Sequence, residues 1–256
     1  MIASNAIIDP SARIAEGVTI GPWSIIGADV EIGADTYIGP HVVINGPTLI
    51  GKANKIFQFS SIGDAPQDKR YAGEKTRLEI GNNNVIREFC TISRGTTNGG
   101  GITRIGDNNF LMAYVHIGHD CVIGNSAIFA NNASLSGHVL VEDYVMVGGF
   151  AGVHQFCTLG AHSFITKAAL VPKDVLPYLI VAGPDAKAFG LNKVGLKRRG
   201  FNATTMEHLR QAYKIVFRRG LTVAQALIKL EELSLICPEV RLMMMGLQRS
   251  SRGIVR

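Results

Sequence analysis

"TIGPWSIIGADVEIGADTYIGPHVVI", Thr19 to Ile44, sets an isoleucine at 20, 26, 32, 38 and 44. The same beat begins at Ile8 and Ile14, runs on through Ile50, Ile56 and Ile62, and returns in phase at Ile80, Ile86 and Ile92. After a slip of one residue it continues from Ile105 through Leu111, Ile117, Ile123, Phe129, Leu135, Val141, Val147, Val153, Leu159 and Ile165 to Val171. Glycine often follows the apolar residue, as at Gly21, Gly27 and Gly33, and the position two before it is usually small. A helix repeats every 3.6 residues and a half-buried strand every two, so neither keeps one apolar slot in six over such a length. A parallel β-helix does: three hexapeptides make a triangular coil, the apolar residues point inward, and coils stack about 4.8 Å apart.

Two stretches break the beat. Residues 64–79, "DAPQDKRYAGEKTRLE", replace two hexapeptides while keeping the phase, and residues 94–104, "RGTTNGGGITR", carry the slip. Both are predicted to loop out of the prism, either as tolerated insertions or as functional loops on a rigid scaffold. The beat stops near Val171, which divides the chain into a β-helix over 1–185 and a helical region over 186–256. Helices are predicted near 191–198, 203–219, 222–235 and 238–249. Gly220 stops the second, Thr222 with Gln225 makes a capping box for the third, and Pro238 suits the first turn of the fourth. Leu209, Tyr213, Val216 and Phe217 give the second helix an apolar face for a neighbouring helix or subunit.

An apolar content of 46% with 29 glycines in 256 residues describes a folded, turn-rich chain rather than a disordered one. No apolar run reaches the length of a membrane span, and "MIASNAIIDP" lacks the charged and apolar regions of a signal peptide. A soluble protein of the cytoplasm, without integral membrane association, is the expectation. The net charge of +6 is uneven: residues 1–175 sum to −3 and residues 176–256 to +9. A basic end attracts phosphates, nucleic acid or an acidic protein. Nucleic acid is the weakest of these, because the cations are not interleaved with stacking aromatics.

Cys90, Cys121 and Cys157 each fall two residues before an apolar beat, in the small inward slot. They read as inert core thiols, and the four cysteines have neither disulfide nor paired CxxC spacing. The histidines do the opposite. His116, His119, His138, His154 and His162 avoid both inward slots, which places them on the outside of the prism. With eighteen residues per coil, the column through His119 passes positions 137 and 155, beside His138 and His154, and His116 extends the cluster along one edge. Such a row is an accident of the surface, a zinc site needing three converging imidazoles, or a general base. An imidazole with its ordinary pKa near 6.5 suits proton removal from a hydroxyl at neutral pH, and Asp120 next to it is a candidate to orient the ring.

"AYVHIGHDCVIGN" (113–125), "LSGHV" (135–139), "VHQFC" (153–157), "LGAHSF" (159–164), "FQFSSIG" (57–63), "QDKRYAGE" (67–74), "TISRGT" (91–96), "GLNKVGLKRRGF" (190–201) and the ending "SSRGIVR" together resemble the bacterial UDP-N-acetylglucosamine O-acyltransferases, enzymes of lipid A synthesis. The likeness spans essentially the whole chain. It implies a left-handed parallel β-helix followed by a C-terminal α-helical domain, a handedness opposite to the usual crossover. It implies a homotrimer with active sites between neighbouring prisms. The reaction it implies is transfer of an (R)-3-hydroxyacyl chain from acyl carrier protein to the 3-hydroxyl of UDP-N-acetylglucosamine, with no cofactor, no metal and no acyl-enzyme.

On this resemblance His119 is the base, Asp120 orients it, and the N–H of Gly137 stabilises the oxyanion. Asp68, Arg70, His116, His138, His154, Gln155 and Phe156 are implied to surround sugar and acyl chain. Asn192, Arg198 and Arg199 are implied to lie toward the nucleotide and diphosphate, where arginine forks suit phosphate oxygens. The basic tail suits an acidic carrier protein.

Four positions depart from the family pattern: Arg70 for lysine, Ser93 for histidine, Val194 for glutamate, and Lys167 where long-chain enzymes have glycine. A long side chain at 167 is expected to shorten the acyl groove. Three other readings stand beside the acyltransferase: the same fold acylating a 3-amino sugar nucleotide, a histidine-ligated metal enzyme, and a silent scaffold that binds nucleotide sugar or carrier protein.

Overall fold

The computed structural model describes residues 1–256. Most strands are two or three residues long and form three sheets of ten, nine and eight strands, parallel except for one antiparallel strand at the end of the largest, here faces A, B and C of a prism. The beat explains the register: Ile26, Ile44 and Ile62 pair directly down face B, as Ile38, Ile56 and Ile86 do down face A. Ile20 through Ile62 on the beat are essentially fully buried, and each such side chain contributes about 1.5–3 kcal/mol of burial free energy. The coil repeats because its core slot repeats.

The small slot two residues earlier has its own logic. Cys90, Cys121 and Cys157 fill it and are fully buried, as their position predicts. On face A the slot holds Asn54, Asn84 and Asn109, whose amides bond in a ladder: each carbonyl accepts from the backbone N–H one coil on, and each NH₂ donates to a glycine carbonyl. Buried amides are tolerated here because every one is paired.

At each corner one residue turns the chain with positive φ. In a single coil these are Tyr114 (65°) at the A/B edge, Asp120 (60°) at B/C and Ser126 (56°) at C/A. Non-glycine residues seldom adopt this region, so the corners are held by the coils above and below.

Both excursions are shorter than the sequence suggests. Arg77, Leu78 and Glu79 already pair with Ile102, Thr103 and Arg104 on face C, because buried Leu78 and Thr103 occupy the small slot. The loops proper are 65–76 and 94–101. Arg94 ties them together, its guanidinium donating to the carbonyls of Gly46 and Gly63 and to the Tyr71 hydroxyl at 3.0, 2.6 and 3.2 Å.

Beyond the prism, Leu179–Ala182 joins face A and Lys187–Leu191 returns antiparallel beside it, so the sheet runs past residue 185 before helix α1 (Lys193–Arg198) begins. Helices α2 (Ala203–Phe217), α3 (Val223–Ile236) and α4 (Val240–Arg249) follow within a few residues of the predicted limits. The Thr222–Gln225 capping box forms, and Leu209, Tyr213 and Val216 are buried while Phe217 is partly so. No helix is long and apolar enough to cross a membrane. The last residues fold back as a strap, with Ile254 bridging to Asp174.

Candidate active site

The B/C corner follows each strand of face B, so His119, Gly137 and Gln155 share one column and Asp120, His138 and Phe156 the next. His119 is partly buried, and its Nδ1 lies 2.7 Å from Asp120 Oδ2. An ionised carboxylate only accepts, so Nδ1 donates to it, and in the neutral imidazole Nε2 is then the nitrogen with the lone pair. Asp120 is buried and held by the second loop: its Oδ1 accepts from Thr96 N–H at 2.8 Å and its Oδ2 from Thr96 Oγ1 at 2.7 Å. From the other side, Asp120 N–H donates to Thr103 Oγ1 at 2.8 Å. Adjacent side chains on a strand diverge, but Asp120 is at the left-handed corner, which turns its carboxylate back beside its neighbour.

Two glycines make room. A Cβ on Gly137 would meet His119 Cε1 at 2.5 Å and Nε2 at 2.7 Å, so the imidazole lies directly against the Gly137 backbone. The corner also leaves the Gly137 N–H without a backbone acceptor. A Cβ on Gly99, in the second loop, would collide with the Asp120 carboxylate. The insertion that disturbs the beat is thus the cover of the carboxylate.

His138 stands edge-on to His119, ring centroids 5.0 Å apart, and stacks on Phe156 at 4.4 Å. Burial lowers its pKa, as do His119 and Arg70, against the pull of Asp120. His116 is deeper and bonds Thr91 Oγ1 through Nδ1 at 2.7 Å; burial, then His119, lowers its pKa. Asp68 in the first loop is gripped by Arg70 through N–H, Nε and Nη2, at 2.8 Å for the last, which holds its carboxyl down at about 2. His119 helps to hold that carboxyl down, and the carboxylate's charge in turn pulls the His138 pKa upward.

The row expected from the sequence is only partly a contact cluster. His119 and His138 touch, whereas His154, two coils below the His119 level, is exposed, with its Nδ1 beside the Gln155 carbonyl and the Arg252 guanidinium instead. His162 is outside the prism, as its slot predicts, and partly buried there. It belongs to the C/A edge, stacked between Tyr144 and Tyr178 at 4.9 and 5.6 Å and capped edge-on by Phe201. Burial, and then Arg199, pushes its pKa down to about 4.

The residues expected on the nucleotide side also divide. Asn192 caps α1, accepting from Gly195 N–H and donating to the His162 carbonyl. Arg199 lies over the Tyr144 ring and donates to the Tyr144 carbonyl at 2.9 Å, while Arg198 and Val194 are exposed. Gln155 and Phe156 are exposed at the B/C edge. Lys167 is exposed at the A/B edge, its Nζ 6.0 Å above the Phe150 ring. Ser93 is buried, paired with Asp64 at the start of the loop region. Sequence reasoning missed Thr96, Thr103 and Gly99, although "RGTTNGGG" sits at the one slip in the beat.

His119, Asp120 and His138 bring donor atoms within 4.8 Å of one another, the spacing of a metal centre. The Asp120 oxygens already accept three hydrogen bonds, two from Thr96 and one from His119. That leaves the geometry of an oriented base rather than of three converging free ligands.

Known proteins resemble this chain over its full length. A family model described as UDP N-acetylglucosamine O-acyltransferase, domain 2, matches residues 174–255, and hexapeptide-transferase models match 1–34, 11–46 and 102–137. The acyl-acyl-carrier-protein–UDP-N-acetylglucosamine O-acyltransferase of Thiobacillus denitrificans is 53% identical, covering 100% of this chain and 99% of its own. The solved LpxA of Acinetobacter baumannii is 49% identical with a TM-score of 0.98, covering 100% and 99%. The UDP-N-acetylglucosamine O-acyltransferase (LpxA) of Moraxella catarrhalis, at 48% identity, also gives 0.98 over 100% and 99%.

Proposed function

The chain belongs to the UDP-N-acetylglucosamine O-acyltransferases, left-handed β-helix enzymes, and from that premise we propose that it moves an (R)-3-hydroxyacyl chain from acyl carrier protein to the 3-hydroxyl of UDP-N-acetylglucosamine. The observation that supports this most is the His119–Asp120 pair, with Nδ1 held by the carboxylate and the Nε2 side of the ring against Gly137. His119 Nε2 removes the hydroxyl proton as the sugar oxygen attacks the thioester carbonyl. The Gly137 N–H donates to the oxyanion that forms, an interaction worth about 3 kcal/mol. Collapse breaks the C–S bond, and the departing thiolate takes the proton back from the imidazolium. The products are the 3-O-acyl sugar nucleotide and the free carrier thiol.

No covalent intermediate on the protein is required. Burial raises the Cys90, Cys121 and Cys157 thiols to about 11, 12 and 11, which removes them as nucleophiles. His116, His138 and Asp68 line the sugar and the start of the acyl chain, with His154, Gln155 and Phe156 below. Arg198 serves the nucleotide diphosphate, and Asn192 and Arg199 hold α1 so that it is presented. In this reading Arg198 reaches toward a neighbouring prism of a homotrimer, whose mass light scattering reads directly.

Lys167 sets the acyl length. It is three coils below the His119 level, about 14 Å at the strand spacing, and at the opposite edge of face B. An acyl chain crossing that face diagonally meets its side chain, so donors shorter than those of glycine-bearing relatives fit.

The test is incubation with UDP-N-acetylglucosamine and a ladder of (R)-3-hydroxyacyl carrier proteins, with products read by mass spectrometry, alongside a chelated sample and Lys167→Gly. A 3-O-acyl product that survives chelation, with the preferred donor lengthened by Lys167→Gly, is the expected result. Activity lost on chelation would return the histidines to the metal reading. Product only with a 3-amino acceptor would change the substrate, and equal turnover of the longest donors by the unaltered protein would remove the role of Lys167.

A further inference from the structure

The C-terminal strap brings a cation to the catalytic edge that no part of the mechanism above uses. On one side of Arg252, Ser250 Oγ donates to Asp174 Oδ2 at 2.7 Å; on the other, Asp174 N–H donates to the Gly253 carbonyl at 3.0 Å and Val255 N–H to the Asp174 carbonyl at 2.9 Å. Asp174 is buried, and its second oxygen accepts from Thr158 N–H at 2.8 Å. Ile254 and Val255 are buried, and Gly253 supplies the left-handed turn between Arg252 and that anchor. The backbone of the strap is therefore stapled on both sides of one exposed arginine.

Arg252 forms no ion pair with any carboxylate; its Nη2 lies 3.3 Å from His154 Nδ1. That same Nδ1 lies 3.0 Å from the Gln155 carbonyl. One ring nitrogen cannot donate to the carbonyl and accept from the guanidinium at once, so only one of the two approaches is a hydrogen bond. His154, with Arg252 beside it, borders a groove of about 270 Å³ on face B, lined also by Ser134, Ser136, Gly152 and Leu170, which continues the column below His116. A guanidinium and an imidazole at the foot of a hydroxyl-lined groove, with no acidic side chain between them, are completed by an anion that accepts from both.

We propose that Arg252, with His154, is a phosphate-binding residue of the active site, taking a phosphate of one of the two substrates. The proposal rests on the acyltransferase reading. Position 155 is two coils from His119, about 10 Å, and the arginine reaches further. Both substrates carry phosphate at such a range: the diphosphate of the sugar nucleotide, and the phosphodiester of the carrier's thiol arm, about 15 Å from the sulfur by ordinary bond lengths. The strap thereby makes the far end of the chain part of the site built around residue 119.

The experiment compares unaltered protein, Arg252→Ala and Arg252→Lys in steady-state transfer, varying each substrate in turn, with acyl-phosphopantetheine and acyl-pantetheine as small donors that differ only in the phosphate. Arg252→Ala is expected to raise one KM about tenfold or more, the effect falling on KM rather than kcat, and Arg252→Lys to recover most of it. A rise confined to UDP-N-acetylglucosamine assigns the diphosphate. A rise for the carrier, with loss of the preference for phosphorylated over unphosphorylated pantetheine donor, assigns the arm. Unchanged KM for both substrates overturns the proposal, as does a fall in kcat alone, or a lysine variant as impaired as alanine with a matching loss of melting temperature. Absence of transfer by the unaltered protein would instead overturn the acyltransferase reading, and the two failures are distinguishable.

Discussion

At the A/B edge, His41, Phe59, Phe89 and Tyr114 occupy the left-handed corner slot of successive coils and stack ring on ring at 5.2, 5.0 and 4.8 Å. At the B/C edge, Asp120, His138 and Phe156 occupy the corresponding slot, and His138 stacks on Phe156 in the same way. The backbone treats the two edges alike. What separates them is the loop 94–101, which sets Thr96 and Gly99 over Asp120 and so fixes a proton on His119 Nδ1. The repeat supplies stacked rings at both edges, and a break in the repeat brings a hydrogen-bonded carboxylate beside an imidazole at one corner. The third edge shows a further use of the slot: there Tyr144, His162 and Tyr178 stack beneath Phe201 and tie the helical region to the prism.

The sharpest way to break this comparison is to remove one imidazole from each edge. His119→Ala is expected to lower kcat by about 10²–10⁴-fold, the range of general-base catalysis, while His41→Ala in the A/B ladder leaves kcat unchanged. Equal effects would mean that the B/C edge has no special role. Next come the glycines. Gly99→Ala forces the Asp120 carboxylate to shift and Gly137→Ala displaces the His119 ring, and a displacement near 1 Å costs about 100-fold in kcat. Circular dichroism on the same samples should show the β-helix intact, so that the loss reads as misplacement.

A smaller effect separates the C/A edge from the other two. The fold depresses the His162 pKa to about 4, so between that value and the ordinary 6.5 the unfolded chain binds the proton more readily. The stabilisation is complete above about pH 6.5 and is lost as pH falls toward 4. His162→Phe keeps the ring stack without the titration, and its melting temperature is expected to fall less than that of the unaltered protein between pH 7 and 4.5. Parallel declines would show that His162 does not control this window. The smallest effect belongs to the bare ladder: Phe59→Ala removes two stacked contacts and is expected to cost about 1 kcal/mol of stability in denaturant titration, with turnover unaffected.

Much of this was legible in the sequence. The beat from Ile20 to Ile62, from Ile80 to Ile92 and from Ile105 to Val171 is a run of buried core positions, and the cysteines two residues before the beat are buried where that spacing puts them. The outward placement of His119 and His138 follows from the same count. The count is blind to corner dihedrals, however, and it is the positive φ of Asp120 that brings its carboxylate beside His119 rather than away from it. Nor can it say what a loop covers, since Thr96 reaches Asp120 across 24 residues of chain. His162 shares the outward slot with His138, yet it is covered because α1 and Phe201 return over that edge from forty residues later. Long-range returns of this kind, including the strap that seats Arg252 by His154, leave no periodic trace.

The measurement closest to the central claim is a double-mutant cycle on kcat/KM with Thr96→Val, Asp120→Asn and the two combined. If the loop acts through the carboxylate on the base, Thr96→Val alone slows transfer by about tenfold, and adding it to Asp120→Asn slows it no further. Losses that multiply in the double variant would contradict the account, because Thr96 would then act on catalysis independently of Asp120.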